Sequence, residues 1–309
     1  MSLVLLAPGR DMQSWEESLL DVDPNLEIEI WPDVKNKSKV HFVVAWNQPK
    51  HVLNSYPNLK AVSSLGAGAD HLLKDESLPE EIPICRVVSL SLVRQMKEYV
   101  LCAILNYQRN TIIYALQKQE GVWEPHPNKD PEAFTIGIMG LGELGLPTAV
   151  YLSELGYRVN GWSNSAKNLN GVNTYSGDEE FELFISNSRV LVCMLPLTEK
   201  TEGILDLEVF KQIPKPGYLI NVARGEHLVE EDLIYALDKG WVDGANLDVF
   251  AEEPLPERHA FWNRENIMIT PHVSSLTPPG EVAGQIVENY KRALSGMELR
   301  NKIDKDKGY

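Results

Sequence analysis

Long apolar runs, cysteine and positive charge are all scarce in this 309-residue chain, and each scarcity removes a class of protein. No run approaches the roughly 20 apolar residues of a membrane-spanning helix. The apolar stretch at 3–7 is too short for a secretory core, is broken by Pro8 and Gly9, and lacks a basic start. The three cysteines, Cys85, Cys102 and Cys193, lie far apart, and two sit inside apolar runs. That fits reduced, buried thiols rather than a disulfide framework or a metal site, and predicts a cytoplasmic setting. Seven histidines are scattered without ligand spacing, so no metal is expected. With 29 Lys and Arg against 44 Asp and Glu, the net charge of −15 repels nucleic acid and anionic membranes. An anionic substrate must then be captured by local cations or backbone N–H groups. What is present is 43% apolar content, enough to fill the cores of one large soluble domain or two ordinary ones.

Strand-like runs "LVLLA", "LEIEIW", "VHFVVAW" and "LKAVSSL" alternate with polar helical stretches, a pattern that predicts βα units around a parallel sheet. After "ICRVV" one long helix is expected over 94–119, ended by Gly121 and the proline-rich "EPHPNKDPEAF", which reads as a boundary. A second series follows: strand "FTIGIMG", a helix over 144–155, strand "YRVNGW", a helix near "EEFELFISN", and strand "RVLVCML". It continues with helix "DLEVFKQI", strand "GYLINVA", helix "EEDLIYALDKG", strands "GANLDVF" and "NIMITP", and a final helix over 279–294. The predicted fold class is α/β, with two doubly wound parallel-sheet domains.

The stretch "MGLGELG" lies between the strand "FTIGIM" and the helical "LPTAVYLSELG", the order that a dinucleotide-binding loop requires. Gly140 permits the tight turn, Gly142 lets a pyrophosphate approach the backbone, and Gly145 lets helix and strand pack closely. The phosphate then meets the backbone of Glu143 and Leu144 at the helix N-terminus. An acidic residue is normally found at the end of the next strand, where it binds the adenosine ribose; here "GWSNSAKN" offers Ser163. Ser163, Asn164 and Ser165 can donate to a 2′-phosphate and Lys167 can add charge, so NADPH is preferred and NADH is possible.

Three polar stretches top strands of the second series, "NVARGEHLVEEDL", "LDVFAEEPLP" and "TPHVSS". Open α/β sheets bind ligands at that edge. Arg224 directly follows an apolar strand, which calls for a buried ion pair or an anion clamp. His272 tops another strand, where an imidazole can serve as an acid or base. Asp248, inside "NLDVF", needs a partner whatever it does.

With "SLGAGADHL", "GLGELG", "LPLTEKTEGIL" and these three stretches in order, nearly the whole chain resembles the D-isomer-specific 2-hydroxyacid dehydrogenase family. "VVAWNQP", "RQMKEYV", "GWSNSAKN" and the tail ending "DKDKGY" are most similar to its glyoxylate/hydroxypyruvate reductase A group. The resemblance implies a Rossmann-type cofactor domain, residues 99–278, inserted into a flavodoxin-like substrate domain, residues 1–98 and 279–309. It implies an NAD(P)-dependent reductase of small 2-oxo acids: glyoxylate to glycolate, hydroxypyruvate to D-glycerate. His272 is its general acid, Glu253 the carboxylate partner of that histidine, chosen over Glu252 for its adjacency to Pro254 and Leu255, and Arg224 the substrate-orienting arginine.

The resemblance also sets Trp46 near the substrate and gives its carboxylate the N–H groups of Ala67 and Gly68. Leu195 and Pro196 fall beside the adenosine, Val222 and Ala223 near the nicotinamide, and Asp248 within reach of its carboxamide. A homodimer through the cofactor domain is implied, with the 94–119 stretch as part of its interface. Two other functions fit the same residues: a dehydrogenase for another D-2-hydroxy acid, and a non-catalytic nicotinamide-sensing protein.

Overall fold

The computed structural model describes residues 1–130, 135–305, 307 and 308. Phe134, expected to open the second strand series, lies outside the described residues, as do 131–133 of the preceding loop and 306 and 309 of the tail. The chain divides into two compact units, Met1–Leu92 with Leu276–Tyr309, and Val93–Ser275. The expected boundaries at 98/99 and 278/279 fall a few residues later in the chain.

The first unit holds strands β1 (Ser2–Leu6), β2 (Glu27–Ile30), β3 (Val40–Ala45), β4 (Ala61–Ser64) and β5 (Ile84–Cys85). They pair in parallel in the order β2-β1-β3-β4-β5, the flavodoxin-like arrangement. Helices α1 (Gln13–Val22) and α2 (Asp70–Leu73) belong to it, and α3 (Leu90–Gln108) begins in it and runs on into the second unit. Every residue of β1 and β4 is buried, because a parallel sheet covered on both faces leaves no solvent side to alternate with.

The second unit holds helix α4 (Thr111–Glu120) and strands β6 (Thr135–Met139), β7 (Arg158–Ser163) and β8 (Val172–Ser176), with α5 (Gly145–Glu154) between β6 and β7. Then come α6 (Phe181–Ser186), β9 (Val190–Cys193), α7 (Leu207–Gln212), β10 (Gly217–Asn221), α8 (Glu230–Asp238), β11 (Val242–Leu247) and β12 (Ile267–Ile269). The seven strands are parallel and ordered β12-β11-β10-β9-β6-β7-β8. The order reverses between β6 and β9, so the crevice for a ligand opens above their carboxyl ends. The chain ends with α9 (Pro279–Leu294), back in the first unit and packed on α1.

Two local expectations are corrected. The single helix over 94–119 is two, because Asn110 adopts the left-handed conformation (φ 56°) and stops the ladder between α3 and α4. Asparagine tolerates that region, and the Asn110 side chain is held by donating to Pro127 O (2.9 Å) and accepting from Lys129 Nζ (3.1 Å). Edge strand β8 is an addition to the expected elements: VNTYS has one buried residue followed by exposed and half-buried ones, so it reads neither as an apolar run nor as an alternation. Among the described residues no helix is long and apolar enough to cross a membrane, and no group of three His, Cys, Asp or Glu could hold a metal ion. Cys85 and Cys193 are buried free thiols and Cys102 is an exposed one.

Candidate active site

The three glycines of the β6–α5 loop answer to three different constraints. Gly140 sits at φ 104°, where an L side chain is strained. A Cβ on Gly145 would overlap the Gly140 carbonyl oxygen, so helix and strand meet there backbone to backbone. A Cβ on Gly142 would meet nothing within 4 Å. No protein neighbour therefore accounts for Gly142. The amides of Gly142, Glu143 and Leu144 make no hydrogen bond among the described residues, as expected for orphan donors before the first turn of α5.

At the end of β7, Ser163 is half-buried and its hydroxyl donates to Ser165 O (2.9 Å). That proton is already engaged, so Ser163 shapes the turn while Asn164, Ser165 and Lys167 lie exposed on it. Leu195, Val222 and Ala223 line the ends of β9 and β10 and are almost wholly buried, with Pro196 half-buried beside them.

Arg224 follows β10 in extended conformation and caps a 3-10 turn over Gly225–His227. Its position is set from several sides. Asn221 Nδ2 donates to Arg224 O (2.9 Å), the Arg224 N–H donates to His227 Nδ1 (3.1 Å), and its Nη1 donates to Ala223 O (2.6 Å). A Cβ on Gly225 would run into the backbone of Phe250 and Ala251, so the arginine turn packs directly on the loop that carries Glu253. His227 is 0% exposed; with Nδ1 accepting from Arg224, its Nε2 donates to Pro196 O (3.3 Å). Burial is the main reason its imidazole is held below the ordinary histidine value.

His272 lies just beyond β12 with φ 53°. Its Nδ1 is 2.8 Å from Glu253 Oε2, and Glu253 Oε1 accepts from the Phe250 N–H (3.0 Å). Burial pushes the Glu253 carboxyl up, but the hydrogen bond and charge of His272, the Phe250 N–H and the charge of Arg224 outweigh it, so the group ends below its usual range. Glu252 is exposed and takes no part in this pair. Arg224, Glu253 and His272 are thus brought together by the carboxyl ends of β10, β11 and β12.

Asp248 has the partners that its burial demands. It is 0% exposed, and its carboxylate accepts from Thr270 Oγ1 (2.6 Å) and the amides of Val273 (2.9 Å) and Ser274 (2.8 Å). These contacts hold the chain around His272.

In the first unit, Trp46 follows β3 at the point where that sheet reverses, between β1 and β3. The Arg10 guanidinium lies over its ring (4.9 Å) and the His71 ring packs against it at a tilt of 52° (centroids 4.9 Å). Gly66 is required by the same ring, since a Cβ there would come within 2.8 Å of Trp46. The Ala67 and Gly68 amides make no hydrogen bond among the described residues, while the carbonyl of Ala67 accepts from Arg86 (3.3 Å) and that of Gly68 from Ser64 Oγ (2.5 Å). Arg10 and Arg86 are lone polar residues outside any motif and carry no spacing signal, while His227 sits inside "NVARGEHLVEEDL" with nothing in its spacing to set it apart.

A parallel sheet with a glycine loop at its reversal, joined to a histidine–carboxylate pair and an arginine at the same edge, defines a nucleotide-binding α/β protein equipped for acid–base chemistry. The family description "D-isomer specific 2-hydroxyacid dehydrogenase, NAD binding domain" matches residues 101–274. The glyoxylate/hydroxypyruvate reductase A of Photorhabdus laumondii is 38% identical, and that of Yersinia enterocolitica 36%, each over 100% of both chains. The chain belongs to the D-isomer-specific 2-hydroxyacid dehydrogenase family.

Among solved structures, a family member from Xanthobacter autotrophicus Py2 in complex with NADPH and MES superposes with a TM-score of 0.92 at 34% identity, covering 100% of this chain and 99% of that one. An NADPH-dependent glyoxylate/hydroxypyruvate reductase from Sinorhizobium meliloti, in complex with NADP and sulfate, gives 0.91 at 31% identity over 100% of both.

Proposed function

We propose that this protein is an NADPH-preferring reductase of small 2-oxo acids, glyoxylate and hydroxypyruvate foremost. The observation that carries the reading is the 2.8 Å contact between His272 Nδ1 and Glu253 Oε2, beside Arg224, in a chain similar throughout its length to reductases of those acids. Gly140, Gly142 and Gly145 with the amides of Glu143 and Leu144 would hold the pyrophosphate, and Asn164, Ser165 and Lys167 the 2′-phosphate on the turn shaped by Ser163. Leu195 and Pro196 flank the adenosine, and Val222 and Ala223 the nicotinamide. When bound, the dihydronicotinamide supplies the hydride.

The residues of the chain do the rest. Arg224 binds the carboxylate of the 2-oxo acid and polarises its carbonyl. His272, ring-oriented by Glu253, holds the proton that the carbonyl oxygen requires as it gains charge. Keeping Glu253 below the usual carboxylate range keeps it ionised, which is what an imidazolium partner must be. Trp46, Ala67 and Gly68 are the substrate-facing residues of the first unit, the indole favouring a small acid.

The enzyme works in the cytoplasm, in keeping with its three free cysteines, and pairs with a second copy of itself through the cofactor unit. Support for the pairing comes from α4, which has no buried residue, and from a run of exposed apolar side chains: Ile113 (40%), Tyr114 (38%), Val122 (43%) and Trp123 (99%). Steady-state oxidation of NADPH and NADH with glyoxylate, hydroxypyruvate and pyruvate tests the reading. Turnover of the first two acids with higher kcat/KM for NADPH supports it. Tight NADPH binding without turnover of any of them overturns it in favour of a sensor.

A further inference from the structure

Beneath His272 runs a chain of hydrogen bonds pointing in one direction. Asn246 Nδ2, on β11, donates to the Tyr99 hydroxyl of α3 (2.7 Å), and Tyr99 and Thr270 hydroxyls are 2.5 Å apart. The Thr270 hydroxyl in turn donates to Asp248 Oδ1 (2.6 Å). Since an amide nitrogen only donates and a carboxylate only accepts, the proton order is forced: Asn246 to Tyr99, Tyr99 to Thr270, Thr270 to Asp248. Burial pushes the Tyr99 hydroxyl up to about 12, so it keeps the proton it must give.

The chain ends on the carboxylate that holds the His272 segment. Asp248 accepts the amides of Val273 and Ser274, and its own carbonyl accepts the His272 N–H (2.8 Å). These bonds enclose a residue at φ 53°, a conformation that a bulky side chain keeps only when its surroundings impose it. Asn246 is 2% exposed and Asp248 0%, with Tyr99 and Thr270 partly buried between them, so the two ends of the chain are sheltered from competing water.

We infer that Tyr99 and Thr270 are positioning residues for His272, acting through Asp248 on the backbone that aims the imidazole. The inference rests on the reading of His272 as proton donor, and neither residue touches substrate in this role.

The variants Tyr99→Phe, Thr270→Val and Thr270→Ser, each in the full chain, test it. Tyr99→Phe and Thr270→Val should each lower kcat about tenfold, with KM for the 2-oxo acid and Kd for NADPH within about twofold, since a small misplacement of a proton donor is felt in the chemical step. Thr270→Ser keeps the hydroxyl and should restore most of kcat. The double variant Tyr99→Phe/Thr270→Val should cost little more than either single change, because both cut one chain. Amide hydrogen exchange at His272, Val273 and Ser274 should rise about tenfold in Tyr99→Phe, a readout independent of turnover.

Unchanged kcat and unchanged exchange in folded Tyr99→Phe overturn the proposal. So does a Thr270→Ser as impaired as Thr270→Val. A wild-type protein that reduces no 2-oxo acid, yet shows the exchange difference, overturns the reductase reading and leaves the positioning role standing.

Discussion

Acidification from about pH 7 to about pH 5 removes stability from the second unit through His227, in the direction that its burial sets. The imidazole is 0% exposed and is held below the ordinary histidine value chiefly by burial. Because the folded value is the lower one, the unfolded chain takes up the proton first, near pH 6.5. Stability is therefore intact above about 6.5 and falls as the pH drops from there toward the folded value, at up to about 1.4 kcal/mol per pH unit. Over the roughly 1.5 units between 6.5 and 5 that is at most about 2 kcal/mol, or about 4–8 °C in Tm for a unit of this size.

Thermal or urea unfolding of wild type and His227→Gln at both pH values isolates the effect, since the other titrating groups are common to both proteins. Wild type should lose up to about 2 kcal/mol more than the variant on acidification. Equal losses would show that the proton finds no difference between the folded and unfolded states at this ring, and the reasoning would be wrong. At neutral pH the same variant should raise KM for the 2-oxo acid, because His227 holds the backbone of Arg224.

Three further outcomes follow from the site. Gly145→Ala should destabilise the fold through overlap with the Gly140 carbonyl, whereas Gly142→Ala should leave Tm within about 2 °C and weaken NADPH binding at least tenfold; calorimetry and fluorescence titration separate them, and equal Tm losses would refute the assignment. Glu253→Gln should lower kcat for reduction at neutral pH by about 10²-fold and Glu252→Gln by less than about twofold, since of the two it is Glu253 that is hydrogen-bonded to His272; a larger loss at Glu252 reverses the assignment. Ser163→Asp should shift the kcat/KM ratio toward NADH, because a carboxylate on that turn repels a 2′-phosphate; an unchanged ratio would place cofactor selection elsewhere.

The α/β class, the alternation of strands and helices, and the glycine loop were legible in the linear pattern, because a strand buried on both faces reads as an apolar run and a tight turn admits little but glycine. Arg224 and His272 stood out for a related reason: a charged or titratable group directly after an apolar strand demands an explanation. What adjacency in the chain left open was which groups meet. Glu252 and Glu253 differ little as letters, and only the loop closing on Phe250 N–H turns one of them toward His272.

Composition and periodicity by themselves determined that this chain builds parallel sheets with a nucleotide loop and ionisable groups at one edge. The tertiary structure alone decided the partners. Asp248 turns inward to the His272 backbone, His227 supports Arg224, and Tyr99 reaches Thr270 from a helix 171 positions earlier in the chain. Local propensity acts over a few residues, whereas hydrogen bonds between strand ends join segments that only folding brings together.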